Sequence, residues 1–132
     1  MCTAANGYGP CRDYSHTGHG SHVAGVVGGK RYGIAHGATI HPVKVVPASG
    51  AGPPQAIARG ASWVLEFMRR EAGALDVGIV VMSLGTPGLK YFDEICKRLL
   101  RSGIAVVTSA GNAAGQRGGD SRVRSCLPLI DC

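Results

Sequence analysis

Apolar positions in this chain follow two periodicities, and their alternation predicts its architecture. From Gln55 to Ala72, Ile57, Ala61, Val64, Leu65 and Met68 recur at i, i+4, i+7, i+8 and i+11, the stripe of a core-facing helix. Trp63 sits among them as a core or rim residue. From about Lys90 to Ser102, Phe92, Ile95, Cys96 and Leu99 form a second stripe. Lys97, Arg98 and Arg101 face water near its C-terminal end, where positive charge is favourable. Between and around these helices the period shortens. Thr39 to Val46 alternates and is β-branched, which predicts a strand with His41 and Lys44 on its more polar side. Asp76 to Ser83 contains the continuous apolar run 77–82, suited to a strand buried on both faces. Ile104 to Ser109 is a third such strand. Strand, helix, strand, helix, strand with apolar runs specifies an α/β fold: a parallel sheet with helices on both faces and right-handed crossovers.

Ahead of this array, His19 to about Gly28 predicts a short helix with Val23, Val26 and Val27 mostly buried. Residues 32–38 predict a turn, and Pro47 to Pro54 breaks the pattern before the first long helix. Residues 1–18 are rich in Gly, Asn, Ser and Pro and read as an N-terminal loop. Residues 113–132 are rich in Gly, Arg and Ser and read as an irregular tail. The organised part is therefore 19–112, without internal repeats and with no second domain.

Composition narrows the function. At 132 residues the chain holds one domain at most, with a modest core. A net charge of +6 raises nucleic acid as a partner, but the basic residues are scattered in short groups, the pattern of a solvated surface. No apolar run approaches the roughly 20 residues that span a bilayer. No signal peptide is visible at the N-terminus. Neither nucleic acid nor membrane is expected as a partner. Five cysteines without C-x-x-C spacing spell out no zinc site and leave none, one or two disulfides open, so they do not fix the compartment. A nucleotide site is not supported either, because no G-x-G-x-x-G follows a strand.

The chemistry concentrates in His19-Gly20-Ser21-His22-Val23-Ala24-Gly25. An imidazole is the side chain best suited to move protons near neutral pH, and flanking glycines let other backbone approach it. His16, His19 and His22 share a three-residue spacing that raises a metal site. Gly18 and Gly20 speak against one regular helix through all three, and no carboxylate or cysteine joins them at ligand spacing, so no metal is assigned. His22 is expected to be a packed, hydrogen-bonded structural residue. Asp13 is the one carboxylate before His19, and it lies in a polar loop with no apolar strand leading to it. Two further clusters fall where α/β folds bind ligands, at the carboxyl ends of strands: Ser83-Leu84-Gly85 and Ser109-Ala110-Gly111-Asn112. Asn112 is either a turn residue or a neutral amide donor freed by the glycine before it.

Taken in order, these segments resemble the subtilisin-like serine proteases (subtilases, peptidase S8), whose histidine motif is H-G-T-H-V-A-G. Ser21 replaces threonine and keeps the hydroxyl. Ser83-Leu84-Gly85 is similar to S-L-G-G, departing at Thr86. Ser109-Ala110-Gly111-Asn112 is similar to A-A-G-N, departing at Ser109. Gly50-Ala51-Gly52 is similar to G-S-G, and the turn at Tyr32-Gly33 is similar to the proteinase K branch. The resemblance implies an incomplete three-layer αβα fold. It implies that His19 is the general base and Asn112 the oxyanion donor. Gly50, Ala51 and Gly52 would form one wall of a cleft that takes an extended polypeptide by β-augmentation. Ser83, Leu84 and Gly85 would line the primary specificity pocket, with Ser109, Ala110 and Gly111 beside it. It implies no certain cofactor, calcium being possible in the full-length domain, and a secreted or lumenal setting. Two family segments are missing: the buried strand ending in the catalytic Asp, and G-T-S-M-A with the nucleophile. Ser109 mimics the latter only in passing, and no other serine has its context. The chain is thus expected to be the central fragment of a serine endopeptidase, inactive by itself; alternatively, it is a non-catalytic pseudoprotease that binds extended peptides.

Overall fold

The computed structural model of the protein describes residues 17–50, 52–71, 73, 77–84 and 90–109, with backbone alone at 90 and 91. In chain order the elements are α1 (His19–Gly28), α2 (Pro54–Glu71), β1 (Ile79–Met82), α3 (Lys90–Arg101) and β2 (Ala105–Thr108). Two compact units divide the chain, 1–63 and 64–132, with the boundary inside α2.

In the first unit, α1 starts at Gly18, whose left-handed backbone (φ 59°) turns the chain into the helix, and the His22 N–H donates to the Gly18 carbonyl at 2.9 Å. The helix stops at Gly29, whose N–H still reaches the Gly25 carbonyl. The chain then doubles back: Gly33 N–H donates to Gly29 O at 2.7 Å and Ala35 N–H to Val27 O at 2.8 Å. A side chain at Gly33 would overlap the backbone of Gly28 and Gly29, so only glycine closes this turn. The predicted turn continues with Ala38 N–H on Ala35 O.

The expected burial of the α1 valines is not found. Val23 and Val27 are half-buried, Val26 is 54% exposed, and no residue of α1 is fully buried. The described contacts to its last turn come from the returning segment and from Ile40, which lies against the Gly28 backbone. Those contacts cover one end of the helix, not its apolar length.

The strand expected over 39–46 is reduced to a single bridge position at Val43. Pro42 has no N–H to give a ladder, which interrupts the alternation at its centre. Val43 and Val45 nevertheless pack on α2, because Gly60 leaves room for them. A Cβ at Gly60 would meet Val45 Cγ1 at 2.5 Å and Val43 Cγ1 at 3.4 Å. Pro54 is the first residue of α2, where its missing N–H costs nothing. Ala56 and Ile57 fill the buried side of its first turns.

In the second unit, β1 and β2 are parallel, with Ile79 opposite Ala105 and Met82 opposite Thr108. The connection between them carries α3, the β-α-β order that the apolar pattern specifies. Phe92, Ile95, Cys96 and Leu99 of α3 form the core with Met82 and Ile104. The helix closes in a Schellman motif: Gly103 N–H donates to Leu100 O at 2.9 Å and Ile104 N–H to Leu99 O at 3.1 Å. Gly103 takes the left-handed conformation (φ 77°) that this closure needs. Ile104 is thereby buried, and Ala105 N–H starts the ladder on Gly78 O. Gly78 in turn admits the Met68 side chain of α2, which would lie 3.0 Å from a Cβ there.

The strands were expected to be buried on both faces, and only one face is. Val80, Met82, Val106 and Thr108 are half-buried or buried, whereas Ile79 is 62% exposed and Val81, Ala105 and Val107 share its open side. Among the described residues nothing covers that side. The basic residues follow the solvated pattern: Arg69 and Arg70 face Glu66, and Lys97 faces Glu94 at 3.0 Å, all on exposed helix surface.

Candidate active site

His19 is the first residue of α1, exposed at the helix's N-terminal end, where the left-handed Gly18 sets the angle at which the chain enters. His22 lies one turn on, so both imidazoles emerge from one face. It is exposed, which corrects the expectation that it is packed. The reason is the one that exposes Val26: among the described residues nothing covers α1 along its length. His16 and Asp13 lie outside the described residues. Among the described residues no three His, Cys, Asp or Glu gather at metal-binding range.

Gly50 and Gly52 belong to the same unit. A tight turn ends at Gly50, whose N–H donates to the Pro47 carbonyl at 3.0 Å and whose φ of 81° disfavours any side chain. A Cβ at Gly52 would press on Val45 O at 2.9 Å and Pro47 Cδ at 3.1 Å. Both glycines therefore have conformational reasons to be glycine, independent of any ligand. Ala51 between them lies outside the described residues.

The second unit contributes the strand ends. Ser83 and Ser109 each follow directly on the last ladder pair, Met82 with Thr108, so the two sit together at the carboxyl end of the parallel sheet. Ser83 and Leu84 are half-buried and Ser109 is exposed. Gly85, Ala110, Gly111 and Asn112 lie outside the described residues. The sequence thus located the carboxyl end of the sheet, and the register brings its two serines side by side. No helix among the described residues is long and apolar enough to cross a membrane.

Comparison with known proteins gives this arrangement a family context. A profile described as the subtilase family (peptidase S8) matches residues 4–125. The chain is 41% identical over 96 residues to a protein named subtilisin-like protease 5 from Arthroderma gypseum, covering 73% of this chain and 24% of that protein. It is 37% identical over 95 residues to an extracellular serine proteinase from a Thermus species, covering 72% of this chain and 22% of that protein. A solved structure, of a cold adapted subtilisin-like serine proteinase, superposes with a TM-score of 0.63 at 33% identity, covering 72% of this chain and 33% of the other. The chain spans about a quarter of the length of these curated relatives.

Proposed function

This chain belongs to the subtilase family, and on that premise we propose that residues 19–112 are the histidine-to-asparagine stretch of a subtilisin-like serine endopeptidase domain. The observation that carries the reading is the subtilase profile match over residues 4–125, which takes in both His19 at the head of α1 and the serine-bearing strand ends. In this reading the His19 imidazole takes the proton from a nucleophilic hydroxyl as it attacks the scissile carbonyl, then returns it to the leaving amine. The amide of Asn112 donates to the oxygen that becomes negative in the tetrahedral intermediate. Gly50, Ala51, Gly52, Ser83, Leu84, Gly85, Ser109, Ala110 and Gly111 are the residues this reading assigns to binding an extended polypeptide. No nucleic acid or membrane enters the reaction.

The nucleophile is the part these 132 residues do not supply. None of their serines stands in a G-T-S-x-A context, and no apolar run ending in Asp precedes His19 in the sequence. We therefore infer that the chain by itself does not cleave peptides. The endopeptidase stretch is favoured over a self-sufficient peptide-binding module by the exposed apolar residues of α1 and of the β1–β2 sheet, which nothing among the described residues covers. An independent module buries such surfaces, because exposed apolar faces and open strand edges drive aggregation.

The test is a peptidase assay with a fluorogenic peptide on the purified chain and its His19→Ala variant. Neither is expected to turn over. Turnover by the chain that disappears in the variant would overturn the inactivity. In a longer protein that carries the missing segments, His19→Ala is expected to lower kcat by about a millionfold and Asn112→Ala by about two to three orders of magnitude. Both figures are the ones measured on subtilisin itself.

A further inference from the structure

Three adjacent pairs of basic residues occur in the chain: Lys30-Arg31, Arg69-Arg70 and Lys97-Arg98. Exposure does not separate them, since Arg31, Arg70 and Arg98 are all exposed. Backbone conformation does. Arg69-Arg70 lies in the last turn of α2, and both guanidiniums face Glu66, at 2.8 and 3.8 Å. Lys97-Arg98 lies inside α3, with Lys97 on Glu94 at 3.0 Å and the buried Cys96 and Leu99 on either side. Of the three, only Lys30-Arg31 lies outside any helix or strand, in the turn that follows α1.

That turn presents the pair to solvent. Lys30, Arg31 and Tyr32 are exposed in succession, and Ile34, two residues on, is 89% exposed. The Arg31 guanidinium lies 5.4 Å from the centroid of the Tyr32 ring, a solvent-facing contact that a stronger partner replaces easily. An endopeptidase takes its substrate as an extended strand, so a turn must open and a helix must unwind. Opening this turn breaks the bond from Gly33 N–H to Gly29 O and the longer one, 3.4 Å, from Ile34 N–H to Val26 O. The one buried residue it uncovers is Gly33, which has no side chain. Unwinding α3 around Lys97-Arg98 uncovers Cys96 and Leu99, which belong to the core of the second unit.

We propose that Lys30-Arg31 is a proteolytic processing site, cut after Arg31 by a separate endopeptidase whose acidic pockets read paired basic side chains. Water adds across the Arg31–Tyr32 amide: the carbonyl carbon takes the hydroxyl, the Tyr32 nitrogen takes the hydrogen, and Arg31 ends in a carboxylate. The cut detaches α1, with His19 at its head, from the remainder of the first unit. Among the described residues, what still joins them is the hydrogen bonds of Gly33, Ile34 and Ala35 to the end of α1 and the contact of Ile40 with Gly28. No residue of α1 is fully buried, so fragment 1–31 leaves. Where His19 is the general base, the cut removes that base; this consequence rests on the function proposed above, and the site itself does not.

The experiment incubates the purified chain in native buffer with a catalytic amount of an endopeptidase specific for paired basic residues and follows intact masses with time. Synthetic peptides spanning 26–36, 65–75 and 93–103 supply the rate at each pair free of the fold. After normalising to those rates, fragments 1–31 and 32–132 are expected at least about tenfold faster than cuts after Arg70 or Arg98, because cleavage tracks the population of the locally open form. Gel filtration in the same buffer is expected to separate the two fragments. Lys30→Gln combined with Arg31→Gln is expected to abolish the early cut, and Arg31→Lys to keep it. A normalised cut after Arg70 or Arg98 as fast as that after Arg31 would overturn the site. Co-elution of 1–31 with 32–132 would overturn the release of α1. Every readout is a fragment mass or an elution volume, so a failure of the endopeptidase reading leaves this test standing.

Discussion

Leu99→Ala probes the packing of the second unit most directly. Leu99 is fully buried (0% exposed) on α3, while its neighbour Leu100 is 37% exposed on the same helix. The backbone role of Leu99 is separate from its side chain: its carbonyl accepts the Ile104 N–H that closes the Schellman motif, and alanine leaves that bond in place. What the substitution removes is the apolar burial, and what it leaves is a void bordered by the residues that pack on α3. Such replacements cost about 2–5 kcal/mol, the spread reflecting how far the site collapses. Leu100→Ala, partly solvated at the start, is expected to cost about 1 kcal/mol or less. The gap of roughly 2 kcal/mol corresponds to about a thirtyfold difference in the folding constant. With one sheet face and much of α1 open among the described residues, the chain is expected to start near the bottom of the usual 5–15 kcal/mol of stability, so the Leu99 variant should show a visible unfolded population in buffer. Urea titrations followed by far-UV circular dichroism measure both variants against the parent. Equal losses for the two would refute the placement of Leu99 at the centre of the core.

Other expectations follow from the glycines and the surface charges. Gly33→Ala forces a methyl into the Gly28–Gly29 backbone and is expected to lower the melting temperature by an amount equivalent to about 1–3 kcal/mol, whereas Gly37→Ala, with open space at its Cβ, should be neutral or slightly stabilising. Gly103→Ala has room but must hold a left-handed backbone, so thermal unfolding should show a loss of about 1–2 kcal/mol, less for Gly103→Asn. The hydrogen bond from Arg69 holds the Glu66 carboxyl below its ordinary value of 4.5, so its contribution to stability is complete above that value and fades as pH falls through the lowered one. Because the pair lies on exposed helix surface, Glu66→Gln should leave the urea midpoint at pH 7 within the error of the titration, and 1 M salt should erase any difference.

Much of this was legible in the sequence wherever a residue pattern answers a local question. The 3.6-residue stripes located α2 and α3, the apolar runs located β1 and β2, and the short helix expected from His19 to about Gly28 is α1. The strand ends were legible too, because Ser83 and Ser109 follow the last apolar residues of their runs. What the pattern does not carry is the identity of the covering layer. Val26 and Ile79 are as apolar as Leu99, yet they are open because burial depends on what packs above them. His22 follows Val26 for the same reason. The stretch around Val43 was misjudged differently: its alternation is real, but Pro42 withholds the donor that a ladder needs. The four remaining site positions, Ala51, Gly85, Ala110 and Gly111, together with Asn112, rest on motif alone.

The most direct test of the central claim is the sequence of the full-length transcript on both sides of this reading frame. An in-frame strand ending in Asp is expected upstream of His19, and an in-frame G-T-S-x-A segment downstream of Asn112. Mature transcripts that consistently start at Met1 and stop after Cys132 would contradict it, leaving a protein that binds peptides without cutting them.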